Sequence, residues 1–228
     1  MPESLGGKDW ACLPSGLVCD SCNQYFGSKV EQEALQSFPF LPFRLLLGIP
    51  TKKKRLPEMN STIGRLKAGG LPGLIGLDPT SSELEAKIVS GEVSRVTILA
   101  EVTKPLAVCR FLLKMGLEVV AADSADDART SKFDNARNFA RSPSKGKNWW
   151  FLLHTEHEAL FSKFREGITF REWIDGIKLE VVEEQEAAIF HLQLLNMHFI
   201  TPLENNVLPP NMDSLPEPDY RLVFGECV

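Results

Sequence analysis

Cys19 and Cys22, with Asn23 directly after the second thiol, are the residues of this chain best placed to do chemistry. Thiolates in a Cys-x-x-Cys spacing can chelate one zinc ion or close as a redox pair. Two ordinary thiols at a helix start are the third reading. A helix start acidifies a thiol, but the βαβ pattern of a thioredoxin-like unit does not follow. Asn23 is of a type that favours the N-cap of a helix. Lys52, Lys53, Lys54 and Arg55 form a basic run, either a solvated loop or a set of contacts to backbone phosphates. Arg129, Lys132, Arg137 and Arg141 recur at three to five residues, and an amphipathic helix with a basic polar face accounts for them better than a second phosphate-binding face. His154 and His157 invite a metal reading, but on a strand they would point to opposite faces. His191 and His198 sit in apolar alternation and read as packed or edge residues. Of Trp149 and Trp150, one is expected to point into the core.

These residues need elements to hold them. Asn23 to Ser37 predicts a helix with an apolar stripe of Tyr25, Phe26, Val30, Ala34 and Leu35, weakened at Gly27 and ended by Pro39 and Pro42. Residues 50–79, rich in Gly and Pro, read as a basic linker without regular structure. Thr80 to Glu83 resembles a capping box opening a helix to about Ser90. Val93 to Val102 reads as a strand. Pro105 starts a core helix with Leu106, Cys109, Leu112, Leu113, Leu117 and Val120 on one face. Ala125 to Arg141 is predicted helical. Trp149 to His154, Lys178 to Glu184 and Ala188 to Ile200 are predicted strands, and the chain beyond Pro202 is expected to be largely irregular. The fold class is therefore α+β.

Read together, residues 2–8 (PESLGGK) and 17–31 (LVCDSCNQYFGSKVE) resemble the HNH endonuclease family, in the branch where Asn replaces the last His. The resemblance covers about the first 35 residues in detail. It implies a ββα-metal finger in which a structural zinc is held between two Cys-x-x-Cys knuckles. A catalytic Mg²⁺ or Mn²⁺ binds where the β-hairpin meets the helix, and a His acts as general base on water attacking a phosphodiester. Carried onto this chain, Cys19 and Cys22 match the second zinc knuckle. Asn23 matches the catalytic-metal ligand, its amide oxygen suiting a hard ion. The Glu-His pair and the first Cys pair would fall ahead of Met1, so the expectation is a truncated finger whose natural chain extends upstream. As given, the chain is expected not to cut DNA.

The resulting organisation is a truncated finger over 1–49, a basic linker over 50–79, an α+β domain over 80–201 and an irregular tail over 202–228. The 228 residues, 43% hydrophobic and 24% charged, are ordinary for a soluble globular protein. The net charge of −5 divides unevenly, with +2 on residues 1–80 and −7 on the rest, so a nucleic-acid surface is expected in the first part. Cys12, Cys109 and Cys227 stand apart, which argues for a reducing, cytoplasmic setting and against a disulfide-linked partner. The longest apolar run, Phe38 to Ile49, is interrupted by Pro39, Pro42 and Arg44 and too short for a bilayer, so no membrane partner is expected. DNA is the expected partner. A non-catalytic nucleic-acid-binding or interaction protein is the alternative.

Overall fold

The computed structural model describes residues 5, 13–51, 53–69, 73–94, 101–156, 177–184, 186–215 and 219–227. In chain order the elements are α1 (Asp20–Phe26), a π-helical turn (Gly27–Glu31), α2 (Gln32–Leu35), α3 (Phe40–Leu47), β1 (Glu58–Ser61), β2 (Gly64–Ala68), β3 (Ile75–Pro79), α4 (Ser82–Val89), α5 (Pro105–Asp123), α6 (Asp134–Arg141), β4 (Asn148–Thr155), β5 (Lys178–Glu184), β6 (Ala187–Leu194), β7 (Met197–Pro202) and β8 (Tyr220–Glu226). Both sheets are antiparallel and the architecture is α+β. The chain divides into two compact units, 9–34 with 104–228 and 2–8 with 35–103. The expected boundary at residue 49 is therefore not where the chain divides.

In the larger unit, a five-stranded sheet runs in the order β5-β6-β7-β4-β8. Helix α5 lies on one of its faces. Of the face that the spacing predicts, Cys109, Leu112 and Leu113 are fully buried while Leu106, Leu117 and Val120 are half-buried. Val108 and Phe111, outside that face, are fully buried too, so the middle of the helix is covered on nearly all sides. Two glycines allow the close approach. A Cβ on Gly116 would stand 2.7 Å from Leu203 and 2.9 Å from Phe190, and one on Gly225 would stand 2.7 Å from Cys109. Pro105 occupies the first helical turn, where its missing N–H has no partner to lose. The Cys109 thiol donates to the Trp149 carbonyl, and burial pushes its pKa up to about 12, so it is inert packing. Trp149 is the inward member of the Trp pair, its indole N–H donating to the Pro202 carbonyl.

The first helix begins three residues earlier than predicted and is not continuous α-helix. The π turn at Gly27–Glu31 adds one residue to a turn, so Tyr25 and Val30 stand one π turn apart and Val30 and Ala34 one α turn apart. The bulge, not a regular stripe, puts Val30 and Ala34 in the core. It also aims Glu31 at Lys114 of α5, whose ammonium lies 3.1 Å from Glu31 and 2.6 Å from Glu118. Tyr25 ties α1 to the same unit. Its hydroxyl donates to the Arg141 carbonyl at 2.7 Å and accepts from Arg110 at 2.8 Å, while the Arg141 guanidinium lies 3.4 Å from the ring centroid.

Helix α2 ends at Leu35, ahead of Pro39 and Pro42 as expected, and the two prolines then open another helix in the smaller unit. They occupy the cap and first turn of α3, which buries Phe40, Phe43, Leu45 and Leu47. Arg44 is buried too, its guanidinium donating to the carbonyls of Leu35 and Pro50. Residues 58–79 form a three-stranded sheet, correcting the expectation of an irregular linker. Its burial falls mainly on one residue, Leu66, so an apolar alternation was hardly there to be read. Helix α4 is capped by Ser81, whose hydroxyl accepts from Leu84 N–H, and not by Thr80, which bonds to the Ile63 carbonyl.

Three other expectations change. The predicted strand over Ala188 to Ile200 is two strands joined at Leu195 and Asn196, with Leu195 in the left-handed region at φ 55°. Residues after Pro202 include β8, paired with β4, so the tail is not wholly irregular. Ala125 to Arg141 is helical only from Asp134, after two short 3₁₀ turns. The predicted strand at Val93 to Val102 lies mostly outside the described residues. Among the described residues no helix is long and apolar enough to cross a membrane.

Candidate functional site

Two clusters in the larger unit carry chemistry. The first is the predicted one. Cys19 caps α1, its sulfur accepting from Cys22 N–H at 3.4 Å, a thiol in the place a Ser or Asp hydroxyl or carboxylate usually takes. Ser21 Oγ lies 3.2 Å from the same sulfur. These bonds, Ser21 first, lower the Cys19 pKa to about 7. The Cys22 thiol shifts the other way, because it donates to the Cys19 sulfur and is partly withdrawn from water. Cys19 is exposed and Cys22 half-buried. Asn23 is exposed on the first turn of α1, and its N–H closes the first helical bond to the Cys19 carbonyl. The cap role that Asn23 offered is thus filled by Cys19.

Two thiols in one helical turn, Cys19 exposed and acidic and Cys22 half-buried, fit half of a tetrahedral zinc site. No third His, Cys or carboxylate joins them among the described residues. The first part of the motif, 2–8, lies outside the described residues apart from Leu5.

The predicted basic residues are placed separately. Lys53, Lys54 and Arg55 are exposed in a tight turn, closed by Lys54 N–H to the Thr51 carbonyl and Thr51 N–H to the Arg55 carbonyl. Lys54 takes a positive φ of 58° there. Lys52 lies outside the described residues. The four cations around α6 are each engaged within their own unit. Arg129 pairs with Asp126, Arg137 with Asp134 and Lys132 with Glu183, while Arg141 covers Tyr25.

The second cluster was missed in sequence. On the sheet face away from α5, one side chain from each strand forms a row across the sheet. Glu180 (β5) stands opposite His191 (β6), and His154 (β4) stands opposite both His198 (β7) and Tyr220 (β8). His191 is the diagonal neighbour of His198 across the β6–β7 hairpin. His191 Nδ1 lies 3.1 Å from Glu180 Oε1, and its Nε2 lies 3.0 Å from His198 Nδ1. His154 stacks on Tyr220 with centroids 4.1 Å apart and planes 3° apart. Glu156, just past β4, brings its carboxylate to 3.3 Å from His198 Nε2. Burial lowers the His198 pKa, with the nearby His191 and His154 acting the same way and Glu156 opposing them.

His154 and Glu156, two apart at the end of β4, were the available signal. His157 lies outside the described residues. The hairpin that brings His191 to His198 depends on a break at Leu195–Asn196 that no Gly or Pro marks.

No protein-family model, no curated protein and no solved structure matches this chain.

Proposed function

We propose that this chain is a DNA-directed protein of the HNH type, with Cys19 and Cys22 as one of two zinc knuckles and Asn23 as a ligand of a catalytic Mg²⁺ or Mn²⁺. The observation that supports this most is the pair itself: two thiols at a helix start, Cys19 open to solvent and Cys22 half-buried, with Asn23 exposed on the same first turn. Buried sulfurs, or a pair splayed by a different backbone, would have ended the reading. The structural zinc supplies cross-linking of the finger, and the catalytic ion supplies stabilisation of charge on a phosphodiester. Cys19 and Cys22 would hold the first, and Asn23 would give an oxygen to the second. Lys53, Lys54 and Arg55, exposed and in one turn, would meet backbone phosphates together with Lys52.

All four histidines stand at position 154 or later, so none lies near the Cys pair in sequence to serve as its general base. The chain is therefore expected to bind duplex DNA without cutting it. Fluorescence anisotropy with a short labelled duplex at low salt tests the binding. Absence of measurable binding, or binding untouched by Lys53→Glu, Lys54→Glu and Arg55→Glu together, overturns the DNA assignment.

One observation favours a second reading. The opposite shifts of the two thiols, Cys19 down and Cys22 up, match what a dithiol reductant needs. Cys19 thiolate would attack a substrate disulfide, and Cys22 would then close on Cys19 and release the second substrate thiol. Insulin reduction that is lost in Cys19→Ser decides for this reading.

A further inference from the structure

We propose that His154, Glu156 and His198 form a binding site for a borderline divalent transition-metal ion such as Zn²⁺, with His191 and Glu180 orienting the His198 ring. The site is separate from the Cys pair and does not rest on the HNH reading.

Glu180 Oε1, as a carboxylate, accepts, so His191 presents Nδ1–H to it across 3.1 Å. His191 Nε2 in turn meets His198 Nδ1 at 3.0 Å, so that nitrogen of His198 is engaged within the row and the other, Nε2, is turned toward Glu156. That atom is buried and has no hydrogen-bond partner. It faces the Glu156 carboxylate at 3.3 Å. A buried imidazole nitrogen without a hydrogen bond and the carboxylate beside it are a pair of donor atoms that a cation between them would satisfy. The carboxylate–His–His chain is the arrangement by which outer groups fix the tautomer of a metal-binding imidazole.

The distances agree. A tetrahedral zinc with bonds near 2.05 Å places neighbouring ligand atoms about 3.3 Å apart, the observed Nε2 to Oε1 separation. The ligand atoms of His154, Glu156 and His198 all lie within 4.8 Å of one another, so side-chain rotation of about 1.5 Å closes the set. The backbone around the ligands is held. Asn196, in the β6–β7 turn, gives its carbonyl to Glu156 N–H at 2.8 Å and its side-chain N–H to the Glu156 carbonyl at 3.0 Å. Tyr220 fixes the plane of His154 by stacking. Two imidazoles and one carboxylate select Zn²⁺ or a neighbouring first-row ion over Ca²⁺ or Mg²⁺. Three protein ligands leave a fourth position for water or a small anion.

The test uses the full chain carrying Cys19→Ser and Cys22→Ser, which removes the paired thiols and leaves Cys12, Cys109 and Cys227 in place. It is stripped with a chelator, loaded with Zn²⁺ or Co²⁺ and passed over a desalting column. One metal equivalent should be retained, and the Co²⁺ complex should lack a thiolate charge-transfer band. His154→Ala and Glu156→Gln in that background should each weaken binding by more than about 100-fold, with far-UV circular dichroism unchanged, and Glu180→Gln by about 10–100-fold. Glu156 is partly exposed, so Glu156→Gln carries the test even if the His154 variant does not fold. Retention of no metal by the chain lacking Cys19 and Cys22 overturns the proposal. So does retention that Glu156→Gln leaves as tight as before.

Discussion

Replacing Ser21 with Ala removes the largest influence on the Cys19 thiol and should be visible in its reactivity. With Ser21 in place the Cys19 pKa sits at about 7, against an ordinary value of 9.0. At pH 7 that makes about half of Cys19 thiolate, where an ordinary thiol would be about 1% ionised, a gain of roughly 50-fold in the attacking species. A more acidic thiolate is a weaker nucleophile. With a Brønsted slope of about 0.4–0.5, a drop of about two pK units costs roughly 6–10-fold. The net expectation is alkylation by iodoacetamide roughly 5–8 times faster than for an ordinary exposed cysteine at pH 7. Cysteine-resolved mass spectrometry over pH 5.5 to 9.5 reads the rate for each peptide. Cys19 should level off above a midpoint near 7, and Cys22 should label at higher pH because its shift is upward. Ser21→Ala should move the Cys19 midpoint upward, leaving the bond from Cys22 N–H at 3.4 Å as the remaining local contribution. A Cys19 profile identical to that of a free thiol, or labelling of Cys22 before Cys19, would refute the geometry from which this reasoning starts.

Four other outcomes follow from the contacts. Lys114→Met strands Glu31 and Glu118 and should cost about 3–5 kcal/mol in urea unfolding, because all three side chains are largely withdrawn from water. Tyr25→Phe removes both the bond to the Arg141 carbonyl and the acceptor for Arg110, and should lower stability by about 1–3 kcal/mol while leaving sheet circular dichroism intact. Gly116→Ala forces a Cβ to within 2.9 Å of Phe190 and Leu203, so overpacking of about 1–3 kcal/mol should appear as a lower denaturation midpoint. Lys53→Glu, Lys54→Glu and Arg55→Glu together should flatten the salt dependence of DNA binding, by up to about 2.7 in the log–log slope if all three meet phosphates, as read by anisotropy between 50 and 200 mM salt.

What sequence makes legible here follows the strength of the local pattern. Helix α5 was readable in existence and start, because Pro105 marks its first turn and apolar side chains recur at helical spacing, though burial extends beyond the expected face to Val108 and Phe111. Strands β4 and β5 were readable from β-branched and aromatic runs. The three-stranded sheet at 58–79 was not, since it buries little and its Gly and Pro content mimics a linker. The single run Ala188 to Ile200 concealed a hairpin because its turn, Leu195–Asn196, carries no Gly or Pro and puts Leu195, a poor left-handed residue, at φ 55°. The same turn explains the missed histidines. His191 and His198 meet only once that hairpin exists, and Glu180 and Tyr220 join them only through strand order. The Cys pair was legible because both sulfurs lie within one helical turn. Its chemistry was less so, since Ser21 and the helix start divide the two thiols in a way spacing alone does not reveal.

Zinc K-edge absorption spectroscopy on the full chain, loaded with two equivalents of Zn²⁺, bears most directly on the assignment of Cys19 and Cys22 as metal ligands. The expected spectrum contains a sulfur shell at about 2.3 Å beside a nitrogen and oxygen shell at about 2.0–2.2 Å, and Cys19→Ser with Cys22→Ser abolishes the sulfur shell alone. A spectrum holding only the lighter shell, unchanged by those substitutions, would contradict it.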